Sequence, residues 1–253
     1  MYLLQSSGII ASQEASLIIQ ATLLMLIVVV PVFVLLFFFA YYYRAGNHKA
    51  RYSPNWEHAK MDELIWWAIP LEIILVLGAL TWGSTHALDP RKPLPSTVPA
   101  LQVEVVALPW KWLFLYPSLG VASLNTLEIP ANIPVEFHIT ADAPMNSFWV
   151  PQLGGQIYAM TGMDNRLNLM ADKPGDYPGY SANYSGAGFA GMHFVVHAVA
   201  QKDFEAWVAA TASTSPVLDQ ATYSALRAPS TEQERTYAYR IDLYHAILKQ
   251  FGH

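Results

Sequence analysis

Two long apolar runs constrain this chain more than any other feature of its sequence. Leu17 to Tyr43 contains no charged residue, and Leu64 to Trp82 contains a single one, Glu72. A helix needs ~20 apolar residues to cross a bilayer, and buried helices of soluble proteins rarely sustain so long a run. The first run ends in three tyrosines, a residue type enriched at the lipid headgroups. The sequence therefore predicts two transmembrane helices; the alternative is a buried helix of a soluble protein.

The basic residues predict the orientation of these helices. The loop from Arg44 to Met61 carries two arginines and two lysines, whereas residues 1–16 carry neither type. Since Lys and Arg accumulate in cytoplasmic loops, both chain ends are predicted to lie in the periplasm of a bacterium. Residues 1–83 would form an N-terminal segment and an antiparallel hairpin. Glu72 falls nearer the middle of the bilayer, where ionisation is costly, so it should be protonated or paired and face another subunit.

The composition agrees with a membrane protein. Charged residues make up 13% of the 253 residues, against ~25% in soluble domains. Apolar residues make up 53%, and the net charge of -5 gives no electrostatic case for binding nucleic acid. The sequence contains no cysteine, which excludes disulfides and thiolate metal sites.

Beyond the second apolar run the pattern changes twice. Residues 84–100 contain four prolines and are predicted to form a semi-rigid linker. Over residues 101–212, short alternating runs are separated by turn residues, a pattern typical of a β-sandwich or Greek-key barrel. The predicted strands are 101–108, 110–116, 123–129, 135–140, 147–150, 156–160, 166–170 and 191–200.

Helices are predicted around the end of the β-rich region. Asp203 to Ala212 is amphipathic, with Phe204 and Trp207 on one face. Residues 213–253 form a polar tail with scattered aromatic residues and a second short helix from Arg240 to Phe251. We expect this tail to lie over the barrel or a neighbouring subunit, and it carries no functional motif.

Two loops of the predicted barrel carry the most specific pattern. Pro144 to Pro151 reads Pro-Met-Asn-Ser-Phe-Trp-Val-Pro, and Gly179 to Met192 is rich in glycine, serine and aromatic residues. Together they resemble the copper-binding part of subunit II of the haem-copper respiratory oxidases. In the copper-bearing members a His precedes Ser-Phe-Trp, and Cys-x-Glu-x-Cys-x-x-x-His-x-x-Met follows the glycine. Only the methionine keeps its type here, because the corresponding residues are Asn146, Ser181, Asn183, Ser185, Phe189 and Met192.

These residues lack the donors of a dinuclear copper centre, which needs bridging thiolates and imidazoles. Hydroxyl and carboxamide groups are weak copper ligands, a phenyl ring offers no lone pair, and one thioether cannot hold copper alone. A retained fold without its redox centre resembles subunit II of the quinol oxidases, the bo-type ubiquinol oxidases in particular. The resemblance covers Leu17 to about Ala212. It implies a membrane α hairpin of two transmembrane helices followed by an all-β, cupredoxin-like Greek-key barrel.

The same resemblance implies a role in respiration. Complexes of this family oxidise ubiquinol, reduce oxygen to water and pump protons. Subunit I is implied to hold haem b, haem o and copper, so this chain would hold no cofactor and no metal. Its implied partners are subunit I, further small membrane subunits and lipid, in the bacterial inner membrane. Relatives often start with a signal ending in a lipid-modified cysteine, and its absence leaves both a processed chain and an anchor-free variant open.

One carboxylate receives a role from the resemblance. Glu63 lies at the cytoplasmic start of the second span, in Glu-Leu-Ile-Trp-Trp. The family pattern implies that a carboxylate here lies near the entrance of a proton pathway into subunit I. The alternative is an interfacial glutamate that stabilises a helix N-terminus. No catalytic residue is predicted in this chain.

Three further patterns are interpreted as structural. Trp110-Lys111-Trp112 resembles an aromatic run that carries electrons in copper-bearing relatives, but without copper we expect its rings to pack in the barrel core and at its rim. Gly186 to Gly191 matches Gly-x-Gly-x-x-Gly, yet a strand rather than a helix should follow, which argues against a nucleotide site. His193 and His197 would lie ~13 Å apart on one strand face, too far to share an ion. The core face of that strand should hold Met192, Phe194 and Val196.

Three alternatives stay open on sequence alone. A copper-bearing cytochrome c oxidase subunit II is disfavoured by the missing His and Cys residues. A membrane-anchored, cupredoxin-like binding or sensor module would be stable without a large partner, but it leaves Glu72 unexplained. The third is an oxidase that uses menaquinol, because this subunit distinguishes neither the quinol nor the haem types.

Overall fold

The computed structural model describes residues 5–51, 59–231 and 233–251. Parts of the predicted N-terminal segment, cytoplasmic loop and tail (1–4, 52–58, 232 and 252–253) lie outside the described residues. The chain forms two compact units, residues 16–88 and an outer unit in which residues up to 15 join residues 89–253. The predicted division at residues 83, 100 and 212 remains a prediction.

Both apolar runs form membrane-spanning helices. Helix α1 covers Ile9–Tyr42 and α2 covers Lys60–Ala87. At 1.5 Å per residue, the 34 residues of α1 extend ~50 Å, longer than the ~30 Å of bilayer hydrocarbon. In the most apolar 18-residue stretch of each helix, no residue is buried by the rest of the chain. A soluble protein would bury such helices, so the soluble alternative is wrong, and these faces meet lipid or other subunits.

The first helix starts earlier than the apolar run because its first turns pack on the outer unit. Ser7 N–H donates to the Gln152 carbonyl at 2.8 Å, and Ala11 N–H donates to the Leu153 carbonyl at 3.2 Å. Gly8 permits this approach, since a Cβ there would lie 2.6 Å from the Met170 carbonyl oxygen. The sequence pattern of residues 9–16, short and partly polar, gave no sign of this docking.

The outer unit is a barrel-like pair of sheets with the cupredoxin-like architecture predicted. The strands, numbered β1 to β12 in chain order, are Leu101–Leu108, Lys111–Tyr116, Val121–Leu124, Thr126–Pro130, Val135–Ala141, Asn146–Val150, Gly154–Ala159, Asn165–Leu169, Gly175–Ser181, His193–Val199, Val217–Leu218 and Arg235–Tyr239. A seven-stranded sheet has the order β11-β12-β3-β2-β1-β5-β8, and a five-stranded sheet has the order β4-β10-β9-β6-β7. The pairs β1–β5 and β4–β10 are parallel, and most other neighbouring strands are antiparallel.

Two sequence-based strand predictions need correction. The predicted strand 123–129 is two strands, because Asn125 takes a positive φ of 56° and sends the chain from one sheet to the other. A strand at Gly175–Ser181 was missed, because its glycines and Pro178 are typical of turns. This strand lies between β10 and β6, so it positions Ser181, one of the lost copper-ligand positions.

Aromatic rings fill the space between the sheets. Phe148 and Phe194 stack with centroids 5.0 Å apart, and Trp112 packs edge-on against both. Such pairs contribute ~0.5–1.5 kcal/mol each beyond their buried area. Gly179 makes room for the cluster, since a Cβ there would lie 2.2 Å from the Phe194 ring. This core fixes the ends of β6, β9 and β10, where the candidate site lies.

The residues after β10 pack on the barrel in two places. Phe204 and its neighbours join the core between the sheets, whereas the residues from Leu218 onward cover the outer face of the seven-stranded sheet. Helix α3 spans Gln201–Thr214, close to the helix predicted at 203–212, and α4 spans Gln220–Leu226. Helix α5 spans Leu243–Phe251, within the range predicted for the second short helix. Strand β12 pairs with β3, an arrangement the sequence pattern did not predict. The tail therefore contributes a strand and helices to the outer unit.

Candidate functional site

Three of the six positions that the resemblance aligns with copper ligands meet at one end of the barrel, which we call the pole. They are Asn146 and Ser185, where the ligand type is lost, and Met192, where it is retained. Asn146 begins β6 and is 1% exposed. Its Nδ2 donates to Ser185 Oγ at 3.0 Å and to Met192 Sδ at 3.1 Å. Its Oδ1 accepts from the Ser147 N–H at 2.7 Å. The pole is thus a closed hydrogen-bonded group of amide, hydroxyl and thioether.

A fourth position, Ser181, lies beside the pole at the end of β9. Its hydroxyl accepts from Trp112 Nε1 at 3.0 Å, and its N–H donates to the Met192 carbonyl at 3.3 Å. The Trp112 side chain is fully buried. The Ser181 oxygen therefore satisfies a core donor that would otherwise be costly to bury unpaired.

The remaining two positions point away from this group. Asn183 is half-buried and its Nδ2 donates to the Met145 carbonyl at 3.1 Å. Phe189 packs edge-on against Tyr184, with centroids 5.7 Å apart. The structure thus brings together four of the six predicted positions, through hydrogen bonds rather than through a shared open cavity.

The aromatic run before the pole is structural, as predicted. Trp110 adopts a positive φ of 64° and donates from Nε1 to the Ser185 carbonyl at 3.0 Å. Its ring lies over Gly188, where a Cβ would lie 2.2 Å away. Lys111 is fully buried, and its Nζ donates to the Ala228 carbonyl at 3.1 Å. Sequence reasoning missed these links; the glycines of the loop are the signal that marks a close approach.

The strand after the loop also behaves as predicted. A short 3-10 helix at Phe189–Gly191 leads directly into β10, so the glycine pattern lacks the following helix that a nucleotide site needs. His197 lies on the outward face, with Nδ1 2.6 Å from Asp176 Oδ1. The core face of the strand is buried at Met192, Phe194 and Val196.

Comparison with known proteins gives consistent matches. A family model described as cytochrome c oxidase subunit II, periplasmic domain, matches residues 118–199. Cytochrome bo(3) ubiquinol oxidase subunit 2 of Pseudomonas putida is 50% identical over 228 residues, covering 90% of this chain and 73% of that protein. The same subunit of Pseudomonas aeruginosa is 45% identical over 255 residues, covering 100% and 77%.

The chain belongs to the family of ubiquinol oxidase subunit 2. It is therefore part of an oxidoreductase complex and a membrane protein with a periplasmic domain. Among solved structures, the periplasmic domain of subunit II of cytochrome oxidase from Bradyrhizobium japonicum has a TM-score of 0.42 and 24% identity, covering 45% of this chain and 95% of that one.

The pole does not fit a dinuclear copper centre. Its groups are an amide, hydroxyls and a thioether, and the sequence has no cysteine to bridge two copper ions. The Asn146 amide already donates to the Met192 sulfur, the one donor copper would accept. No cluster of three or more His, Cys, Asp or Glu side chains suited to a metal occurs among the described residues.

The two glutamates of α2 lie apart. Glu63 is in the first turn of the helix, and its N–H donates to the Ala59 carbonyl at 3.0 Å. Glu72 is nine residues later, so the two lie on opposite faces and ~13 Å apart along the axis. They therefore face different surroundings, and a role for Glu63 carries no implication for Glu72.

Proposed function

We propose that this subunit carries no redox centre and works by assembling with and capping subunit I of a proton-pumping ubiquinol oxidase. Its hairpin packs against subunit I and further small subunits in the bacterial inner membrane, with the N-terminus and the barrel in the periplasm. Subunit I holds haem b, haem o and copper. Electrons enter from ubiquinol within the membrane, and oxygen is reduced to water.

The hydrogen-bonded pole is the observation that supports this proposal best. Asn146 joins Ser185 and Met192 where a relay subunit would hold copper, and Ser181 accepts from the Trp112 indole. Each polar group of the pole is hydrogen-bonded within the protein. The pole therefore contains no group that exchanges electrons and leaves no ligand free for a metal ion. An electron arriving from a soluble donor would find no acceptor at the pole.

The proposal is tested on the complex purified from native membranes. We expect b- and o-type haem spectra, ubiquinol-dependent oxygen uptake, and copper in the amount that subunit I alone binds. A near-infrared absorption band of a dinuclear copper centre, or copper retained by the outer unit, would contradict it. Elution of this chain alone and free of haem would favour the binding-module alternative.

We further propose that Glu63 lies near the entrance of a proton pathway in subunit I. A carboxylate at the start of a membrane span can collect protons from the cytoplasm. Glu63→Gln should lower turnover several-fold in the assembled complex, with haem content and the KM for ubiquinol unchanged. Asp62→Asn is the matched control, because Asp62 is in the same helical turn but points ~100° away. Equal effects of the two variants would contradict the assignment.

A further inference from the structure

Glu104 is a buried carboxylate on the outer face of the seven-stranded sheet. It alternates along β1 with core residues and shares a face with Val106 and Leu108, which belong to the apolar cluster beneath α5. Only 8% of Glu104 is exposed, and its Oε2 has no hydrogen-bond partner among the described residues. An unpaired buried oxygen costs ~1–3 kcal/mol, and more when it is charged. This position therefore favours the neutral carboxyl.

Charged groups from three elements face Glu104. Asp242 and His245, at the start of α5, are linked by a 2.8 Å contact between Oδ1 and Nδ1. His138 on β5 lies beside Glu104 in the strand register and contacts Asp164 at 3.1 Å. Burial raises the pKa of Glu104 to about 7; Asp242 and Asp164 add to the rise, and His245 and His138 oppose it.

The rest of the surroundings is polar but does not pair with the free oxygen. Tyr239 and Arg240 line the ~350 Å³ cleft beside Glu104 together with the start of α5. On the sheet, Glu136 contacts His138 at 3.5 Å and Arg166 at 3.7 Å. His138 and Arg166, the basic side chains on the sheet, thus contact other carboxylates.

Helix α5 is attached by one apolar face and few hydrogen bonds. Leu243 N–H donates to Tyr239 Oη at 3.1 Å, and Tyr244 Oη donates to Asp164 Oδ1 at 2.8 Å. Its nine residues are fewer than the ~12–15 an isolated helix needs to be stable in water. The helix therefore forms only when docked, which makes docking a two-state process.

We propose that Glu104 makes α5 a pH-dependent latch on the seven-stranded sheet, docked more tightly while Glu104 is protonated than when it is ionised. Undocking opens the carboxylate to water and frees it from Asp242 at the helix start. The outer face of a proton pump is acidified during turnover, so the latch would close in the working complex. That setting rests on the proposed function, whereas the latch itself does not.

The direction of the effect follows from proton linkage. Docked Glu104 has a pKa of about 7, against 4.5 for an ordinary glutamate. Between these values the docked state keeps a proton that the undocked state has lost, so docking weakens as pH rises and levels off above the docked value. Between pH 6 and pH 8 the docking equilibrium constant should fall about tenfold.

Hydrogen–deuterium exchange of the full chain in the assembled complex tests the latch. After correction for intrinsic exchange, the protection of the amides of Leu243–Phe251 should fall about tenfold from pH 6 to pH 8. Glu104→Gln cannot ionise and should show equal, high protection at both pH values. Glu128→Gln is the matched control, because Glu128 is a part-buried carboxylate whose pKa burial also raises, but on the other sheet. It should leave the response of α5 unchanged.

Equal protection of α5 at the two pH values in the unmodified chain would overturn the proposal, as would an unchanged response in Glu104→Gln. Tyr244→Phe removes the hydrogen bond to Asp164, so it should lower protection at both pH values and keep their ratio. A lost ratio in this variant would assign the response to Asp164 instead. Ubiquinol-dependent oxygen uptake is measured on the same samples. A complex that is active but shows no pH response of α5 rejects the latch alone. A complex that shows the pH response but takes up no oxygen rejects the proposed function alone.

Discussion

Replacing Asn146 by alanine separates the structural role of the pole from a redox role. The substitution removes bonds to Ser147, Ser185 and Met192 from a side chain that is 1% exposed. At ~0.5–1.5 kcal/mol for each net hydrogen bond, the outer unit should lose about 2–4 kcal/mol of unfolding free energy. For a domain of this size, that lowers Tm by roughly 5–15 °C.

The assay measures two quantities on the same purified complex. Thermal protease susceptibility of this subunit reports the loss of stability, and ubiquinol-dependent oxygen uptake per haem reports electron transfer. We expect the first to change and the second to remain constant below the lowered Tm. Asn183→Ala is the control, because Asn183 is half-buried and has one bond to the Met145 carbonyl, so its cost should be only ~0.5–1.5 kcal/mol. A fall in oxygen uptake by intact Asn146→Ala complex would refute the reasoning.

Three further substitutions probe the outer unit. Gly179→Ala places a Cβ 2.2 Å from the Phe194 ring and should cost ~1–3 kcal/mol by overpacking, measured as a lower Tm. Asp142→Asn weakens an ion pair in which Arg227 Nε lies 2.8 Å from a carboxylate that is 2% exposed. Because the arginine is half exposed, we expect the unfolding free energy to fall by ~1.5–3 kcal/mol. A double-mutant cycle with Arg227 measures the coupling between the two side chains. Gly154→Ala, at a φ of +116° beside the first turn of α1, should increase proteolysis of the N-terminal segment, and an unchanged cleavage rate would contradict its docking.

Features set by local composition were predictable from the sequence. The two spans follow from hydropathy alone, because lipid requires apolar residues at every position of a helix. The strand at Leu101–Leu108 and most of its neighbours follow from a period of two. The loop pattern around Asn146 and Ser181 located the candidate site, since the spacing of the residues survives even though their chemistry has changed.

Features that depend on distant contacts were not predictable. The strand at Gly175–Ser181 looks like a turn until β6 and β10 are present on both sides of it. Glu104 occupies an outward position of β1, which alternation alone assigns to solvent, yet α5 covers it. Arg235–Tyr239 joins the sheet through β3, more than a hundred residues earlier in the chain. A single sequence carries no signal for such pairings.

The contacts at the pole explain how the loop between β9 and β10 can be held in place without a metal. A bound metal would tie β6 to the loop between β9 and β10 through its ligands. Here Asn146 ties them through Ser185 and Met192, while Trp110 and Ser181 fix the same loop to the other sheet. Each of these bonds is weak, ~1 kcal/mol net, but they are buried and act on one short segment. Loss of the metal therefore need not loosen the loop, provided that the residues replacing the donors bond to one another.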